Sequence, residues 1–213
     1  MEKSITIPIN TKYHTINELT DKTLQVWFLL HGYGQLAEFF IKKFDVVDRE
    51  THYLIAPQGL NKFYLEGFGG RVGANWMTKE DRLNEIANYV TYLTQVYQKE
   101  LQSIDLQHLK INILAFSQGC ATASRWLAYS KIKCDRLVLW AGEIPQDVVE
   151  DEVFKTTPLT LIFGTEDELI TPEMKETIFE RINSAKLNPQ IIRFKGKHEI
   201  DSEVFKTLIA QSY

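Results

Sequence analysis

The chain has 213 residues, which is long enough for one sizeable hydrophobic core and requires no second domain, so we predict a single domain over residues 1–213. Apolar residues make up 44% and charged residues 24% of the chain, a globular balance that excludes an intrinsically disordered protein. The net charge of −4 comes from 28 acidic and 24 basic residues. Because the basic residues are scattered along the chain, nucleic acid is not an expected partner.

The N-terminal and cysteine patterns bear on where the protein works. The first residues, "MEKSITIPIN", lack the apolar stretch of a secretion signal, and apolar runs such as "VWFLL" are far too short to span a bilayer. Cys120 and Cys134 are the two cysteines, and they form neither a CxxC pair nor a zinc-type spacing, which favours two buried, reduced thiols. We therefore expect a soluble cytoplasmic protein with no stable membrane insertion.

The predicted strands begin with "SITIPI", whose alternating pattern predicts an edge strand, a position where Pro8 is tolerable. Six short apolar runs follow, each ending in a turn signal. Near-continuous apolar runs are typical of strands buried on both faces, as in a parallel sheet. In chain order the six strand segments are "QVWFLL", "HYLIAP", "INILAF", "DRLVLW", "LTLIF" and "PQIIRF".

Helical periodicity occupies the intervals between the strands. The third of the predicted helices has the clearest start, since Thr171 is a plausible N-cap and Pro172 would take the first helical position. Alternating strands and helices predict an α/β fold with a mostly parallel central sheet and helices on both faces. Residues 142–157 have room for one short helix and no large cap domain. The predicted helices span residues 82–101, 118–129, 172–185 and 201–210.

One serine lies where the third of these six strands passes into a helix, in "ILAFSQGCATAS". A nucleophile elbow places its serine on a strained strand-to-helix turn, with small residues two positions before and after it. Ala115 and Gly119 supply the small residues around Ser117. The motif alone is a weak signal, but strand, turn and helix occur in the required order. Ser117 is therefore a candidate nucleophile.

A serine hydroxyl needs a base to take its proton and usually a carboxylate to orient that base. Asp167 follows the strand "LTLIF", and His198 follows the strand "PQIIRF", so serine, acid and histidine occur in one chain order with each after a strand. Glu166 and Glu168 flank Asp167, and chemistry alone does not exclude them. The position of Asp167 a few residues beyond the strand-ending glycine favours it.

Acyl transfer also requires hydrogen-bond donors for the developing oxyanion. The elbow supplies the backbone N–H of Gln118, and a second donor is expected from a loop after an early central strand. The loop "HGYGQ" fits, because Gly32 and Gly34 give the backbone freedom to aim the N–H of Tyr33 inward. We expect His31 to hold this loop by hydrogen bonds and to take no part in the chemistry.

Residues 58–77, "QGLNKFYLEGFGGRVGANWM", contain five of the eleven glycines interleaved with aromatic residues. This composition indicates a long loop after a strand, and loops of that length are usually functional. We predict that it walls the acyl cleft with Phe63, Tyr64 and Trp76 as substrate-binding residues. The alternative is a surface loop that its aromatic side chains hold on the sheet.

Together, the motifs "LLHGYGQ", "LIAPQG", "AFSQG", "LVLWAGEIP", "GTEDELITP" and "GKHEI" resemble the phospholipase/carboxylesterase family of α/β-hydrolases, which includes acyl-protein thioesterase-like enzymes and small bacterial esterases. The resemblance covers residues 25–198 and implies hydrolysis of small-molecule carboxylic esters or thioesters, with Ser117, Asp167 and His198 at the triad positions. It implies Tyr33 and Gln118 at the oxyanion positions, and no metal or organic cofactor. Ala115 stands where glycine is usual.

Other departures from the family pattern affect the substrate. Tyr33 is bulkier than the leucine common at its position, and Gln35 replaces a frequent acidic residue, so acyl-group size is not fixed by the motifs. A dienelactone hydrolase or a peptidase on the same fold is an alternative, and so is a non-catalytic binding module. Self-association is open, since the sequence has no heptads and an edge strand could pair with a second copy.

Overall fold

A computed structural model of the protein describes residues 1, 3–102 and 104–210. Nine β-strands occur in this part of the chain, seven of them in one sheet. The six apolar runs predicted from the sequence all form strands of that sheet. The strands are β1 Tyr13–Ile16, β2 Gln25–Leu30, β3 His52–Pro57, β4 Asn61–Glu66, β5 Gly69–Asn75, β6 Lys110–Phe116, β7 Arg136–Trp140, β8 Leu159–Gly164 and β9 Gln190–Phe194.

The helices also follow the predicted periodicity. The helices α2, α3, α5 and α6 begin and end within one residue of the predicted bounds, and the Thr171 side chain accepts a hydrogen bond from Met174 N as the N-cap of α5. In the interval 142–157 the structure describes α4 alone. The helices are α1 Ala37–Phe40, α2 Arg82–Leu101, α3 Gln118–Ser130, α4 Val153–Thr156, α5 Pro172–Ser184 and α6 Ser202–Ala210, with a 3₁₀ helix Ile41–Phe44 after α1.

The large sheet has the strand order β1-β3-β2-β6-β7-β8-β9, and every neighbouring pair is parallel except β1 with β3. Because side chains alternate along a strand, Trp27 and Phe28 of β2 point to opposite faces. Trp27 packs on Phe205 of α6, whereas Phe28 packs on Trp126 of α3. Helices therefore cover both faces, which confirms the predicted α/β fold with a mostly parallel sheet.

The N-terminal prediction is wrong. Residues 3–12 form no strand, and the side chains of Ile5, Ile7 and Ile9 are exposed. The antiparallel edge strand is β1, whose residues pair with β3 from Tyr13 to Ile16. Alternation in "SITIPI" does not produce a strand because these residues have no neighbouring strand to pair with and Pro8 offers no backbone N–H.

The region 58–77 is also different from the prediction. It forms a two-stranded antiparallel hairpin of β4 and β5, outside the large sheet, instead of a loop without secondary structure. Gly67 and Gly70 adopt positive φ angles of 67° and 78° near its turn, conformations that glycine reaches without strain. The hairpin base returns to the sheet edge where β2 and β6 end, since Ala74 pairs with Gln35.

Among the described helices, none combines the length and the apolar composition needed to cross a membrane.

Candidate active site

Ser117 lies between β6 and α3, at the carboxyl end of a central strand. Its backbone has φ 53° and ψ −119°, a conformation that is costly for a residue with a Cβ and that marks functional turns. Ser117 N donates to Trp140 O (2.9 Å), and Cys120 N donates to Ser117 O (2.9 Å). The neighbouring strand and the first turn of α3 therefore hold the strained turn from both sides.

The elbow depends on two glycines. A Cβ on Gly119 would lie 2.5 Å from Leu30 O, so β2 and α3 approach too closely for any side chain at that position. A Cβ on Gly142 would lie 2.7 Å from Ser117 O. Ala115 is fully buried between β2 and β7, which shows that alanine is accommodated where the family pattern has glycine.

Asp167 and His198 are hydrogen bonded to each other. Asp167 Oδ2 lies 2.8 Å from His198 Nδ1, while Asp167 Oδ1 accepts hydrogen bonds from Leu169 N (2.9 Å) and Ile170 N (3.1 Å). An ionised carboxylate only accepts hydrogen bonds, so Nδ1 carries the proton and Nε2 is left for another partner. The Asp167 side chain is completely buried, which protects this bond from competing water.

The flanking glutamates do not share this arrangement. Glu166 and Glu168 are exposed, and in the part of the chain described here neither side chain is hydrogen bonded to His198. The ring of His198 packs 4.8 Å from the ring of Phe116, the residue directly before Ser117. The imidazole bonded to Asp167 thus packs on the residue next to the candidate nucleophile.

The acid loop and the histidine loop are joined by backbone contacts. Thr165 N donates to Phe194 O (2.8 Å), and Glu166 N donates to Gly196 O (2.9 Å). A Cβ on Gly164 would lie 2.4 Å from Gly196 O, so the close approach of the two loops requires a glycine there. These contacts fix the separation of the loops that carry Asp167 and His198.

The loop after β2 forms a tight turn over the elbow. Gln35 N donates to Gly32 O (3.2 Å), and Gly34 has φ 73°, which are the features of a type II turn. A Cβ on Gly32 would lie 3.2 Å from the Cβ of Ser117, so this turn borders the nucleophile. Across the described residues the N–H of Tyr33 has no hydrogen-bond partner. Gln118 is the first residue of α3, so its N–H has no intrahelical acceptor.

His31 is fully buried, and its ring holds this turn in place by hydrogen bonds. His31 Nδ1 lies 2.8 Å from Gly32 O, and Gly59 N donates to His31 Nε2 (2.9 Å). A carbonyl accepts and an amide N–H donates, so the ring is neutral with its proton on Nδ1. Burial lowers the pKa of His31 to about 4, although its hydrogen bond to Gly32 opposes the shift. The expected structural role of His31 agrees with these contacts.

The hairpin borders the same site. The ring of Tyr33 packs against that of Phe63, with the ring centroids 5.1 Å apart and the planes tilted by 38°, and Tyr64 is half exposed. Trp76 is 1% exposed, and its Nε1 donates to His31 O (2.8 Å), so its side chain supports the turn and offers almost no surface to a substrate. The sequence motif gave no sign of this difference between Trp76 and the other two aromatic residues.

The described residues contain no group of three or more His, Cys, Asp or Glu side chains arranged to hold a metal ion. Cys120 is buried, and Cys134 is partly buried; both are free thiols. Burial raises the pKa of the Cys120 thiol, which makes it unreactive despite its position in the first turn of α3.

A family model described as phospholipase/carboxylesterase matches residues 11–211, nearly the whole chain. The chain belongs to the phospholipase/carboxylesterase family. It is an ester hydrolase with the α/β-hydrolase fold. No curated protein sequence matches the chain.

Solved structures share the fold at low sequence identity. The chain is similar to acyl-protein thioesterase 2 from Zea mays, with 15% identity and a TM-score of 0.68 over 95% of this chain and 98% of that one. It is similar to esterase PE8, with 16% identity and a TM-score of 0.68 over 96% and 98% of the two chains. A carboxylesterase from Mesorhizobium loti matches with 16% identity and a TM-score of 0.68 over 88% and 89%.

Proposed function

We propose that the protein is a serine hydrolase that cleaves carboxylic esters or thioesters through Ser117, His198 and Asp167. The observation that carries the proposal is the 2.8 Å hydrogen bond between His198 Nδ1 and buried Asp167, with the His198 ring packed on Phe116, the residue directly before the strained turn at Ser117. In the neutral imidazole this bond places the proton on Nδ1 and leaves Nε2 as the acceptor, which is the tautomer required of a general base.

The proposed reaction has two steps. Ser117 Oγ attacks the acyl carbonyl carbon while His198 Nε2 takes the hydroxyl proton, and the resulting tetrahedral intermediate expels the alcohol or thiol, which leaves with that proton. Water then attacks the acyl-enzyme, His198 takes a proton from it, and Ser117 departs protonated with release of the carboxylic acid. Asp167 holds the tautomer and stabilises the imidazolium formed in each step.

The oxyanion of each tetrahedral intermediate needs donors that are not already engaged. We assign this role to the backbone N–H groups of Gln118 and Tyr33. The support is that the first lies at the N-terminus of α3 and the second has no other acceptor among the described residues. The helix dipole of α3 adds partial positive charge at the same point.

The proposed substrate is a small ester or thioester that an open site admits. The packed rings of Tyr33 and Phe63 offer an aromatic wall on one side of the cleft, whereas Tyr64, the next residue of β4, points to the opposite face of the hairpin. Leu169, 64% exposed and two residues beyond Asp167, offers an apolar surface on the acid loop. Such apolar surfaces favour substrates with an apolar acyl chain over substrates with a charged acyl group. A lysophospholipid is one ester with an apolar acyl chain. The two free cysteines support the expected cytoplasmic location.

The experiment is a substrate panel with the purified protein and with Ser117→Ala. The panel contains p-nitrophenyl esters from acetate to decanoate, one acyl thioester and one lactone. We expect turnover of the esters, an optimum at a chain length that reports the extent of the aromatic wall, and loss of turnover in Ser117→Ala. Equal turnover in both proteins would contradict the assignment of Ser117, and turnover of the lactone alone would favour the dienelactone hydrolase alternative.

A further inference from the structure

The two proposed oxyanion donors lie on different segments of the chain, so something must set their separation. Tyr33 belongs to the turn after β2, and Gln118 begins α3. Both segments contact the end of β5 and the two residues beyond it, residues 74–77, which we call the β5 strip.

The turn after β2 is bound to the β5 strip by three hydrogen bonds. Gly34 N donates to Ala74 O (2.8 Å), Ala74 N donates to Gln35 O (3.2 Å), and Trp76 Nε1 donates to His31 O (2.8 Å). Ala74 and Trp76 are buried, so these bonds are shielded from water. The position of the Tyr33 N–H therefore follows the position of the strip.

The side chain of Gln118 binds the other side of the same strip. Its Oε1 accepts from Trp76 N (3.1 Å), and its Nε2 donates to Met77 O (2.8 Å). One carboxamide thus binds a donor and an acceptor on consecutive residues, which fixes the strip along its length as well as its distance from α3. The backbone N–H of Gln118 takes no part in these two bonds.

We propose that the Gln118 side chain is a positioning residue that sets the separation of the two oxyanion donors. It does so by anchoring the β5 strip, and through it the turn that carries Tyr33, to the N-terminus of α3. The inference rests on the proposed function of Ser117 and adds a side-chain role to a residue already assigned a backbone one.

The chemistry of the amide explains why a glutamine serves here. A methionine of similar length fills the space but makes neither hydrogen bond. A glutamate can accept from Trp76 N, but when ionised its second oxygen faces Met77 O, and two acceptors repel each other. A protonated glutamate restores the pattern, because its O–H donates where the amide Nε2 does.

The first experiment compares Gln118→Met with the wild-type enzyme on a p-nitrophenyl ester. Both retain the backbone N–H, so only the separation of the donors changes. We expect kcat to fall roughly tenfold to a hundredfold with KM within about twofold, since the donors act on the transition state. Affinity for a trifluoromethyl ketone, whose hemiketal oxyanion occupies the same donors, should fall by the same factor as kcat/KM.

A matched control variant weakens contacts at the base of the β4–β5 hairpin that do not involve Gln118. Glu85 of α2 binds Asn61 Nδ2 (2.6 Å) and Thr78 N, contacts that reach neither Ser117 nor the turn after β2. Glu85→Gln should lower the melting temperature while kcat and trifluoromethyl ketone affinity stay near wild type. A melting temperature lowered by Gln118→Met with kcat and inhibitor affinity unchanged would overturn the inference, because the side chain would then only stabilise the fold.

A pH measurement with Gln118→Glu keeps the test decisive even where Gln118→Met does not fold. The ratio of kcat/KM in this variant to that in wild type removes the pH dependence that the two enzymes share. The ratio should rise at least about twofold as pH falls from about 8 to about 5, because a growing fraction of the glutamate is protonated. A flat ratio overturns the inference. Wild type without ester turnover overturns the proposed function instead, so the two failures are distinguishable.

Discussion

The burial of neutral His31 allows a quantitative prediction of how much the free energy of unfolding decreases at acid pH. Its ring has Nδ1 donating to Gly32 O and Nε2 accepting from Gly59 N, and protonation of Nε2 would set a donor against that N–H. The pKa of His31 is lowered from 6.5 to about 4, chiefly by burial. The unfolded chain therefore binds a proton at higher pH than the folded protein does.

The sign and size follow from this difference in pKa. Stability from a neutral His31 is fully present above the unfolded pKa of 6.5 and is lost as pH falls through that value towards about 4. The shift corresponds to about 3 kcal/mol in total, of which about 2 kcal/mol is lost by about pH 5. Burial lowers the pKa values of His14 and His52 too, so a comparison of variants is needed to isolate His31.

The assay is urea unfolding of wild type and His31→Gln at about pH 7 and about pH 5. Glutamine does not titrate, so wild type should lose about 2 kcal/mol more than the variant between these pH values. The same loss in both proteins would show that His31 is not the source of the destabilisation at acid pH. NMR titration of the His31 ring in wild type gives an independent check, since its chemical shift should stay constant down to about pH 5.

Three further substitutions test the site and its surroundings. Asp167→Asn should leave the fold intact and lower kcat roughly ten-thousandfold, because it favours the wrong imidazole tautomer, whereas Glu168→Gln should retain activity in the same ester assay. Gly119→Ala should destabilise the protein by several kcal/mol in urea unfolding or prevent folding, because its Cβ would lie 2.5 Å from a β2 carbonyl oxygen, while Gly69→Ala, with open space around it, should be near neutral. Phe63→Ala removes the ring contact with Tyr33 (centroids 5.1 Å apart) and should lower kcat/KM for octanoate more than for acetate, and an equal effect on both esters would contradict the aromatic wall.

The central sheet could be predicted because its strands are buried on both faces. Runs such as those of β2 and β6 contain almost only apolar residues, and this signal does not depend on which strand lies beside which. The order of the strands is a property of long-range pairing and was not predicted. The helix bounds were predictable where local chemistry marks them, as at Thr171 and Pro172.

The two incorrect predictions of secondary structure have a common cause. A strand exists only if its backbone groups find partners, and alternation or glycine content reports this poorly. The segment "SITIPI" alternates but pairs with none of the described strands, whereas the two strands of the glycine-rich hairpin, β4 and β5, pair with each other. Its composition indicated a loop because glycines at a tight turn and glycines in a loop look alike in the sequence.

At the candidate site, the order of Ser117, Asp167 and His198 along the chain, each after a predicted strand, was enough to predict these three residues as the candidate triad. The ambiguity between Asp167 and its glutamate neighbours needed coordinates, because it depends on which carboxylate turns inward. The contacts of the Gln118 side chain were not predictable either. Gln118 lies 42 positions from Trp76 and 41 positions from Met77 along the chain, and the hairpin that brings them together was not predicted from the sequence.

Covalent labelling with a fluorophosphonate, followed by peptide mapping, shows directly whether Ser117 is the nucleophile. An activated serine displaces fluoride from phosphorus, so we expect one adduct per chain, located on Ser117, with loss of ester turnover in proportion to labelling. Labelling should be abolished in Ser117→Ala. An adduct on another residue, or full turnover after stoichiometric labelling of Ser117, would contradict the claim that Ser117 is the nucleophile.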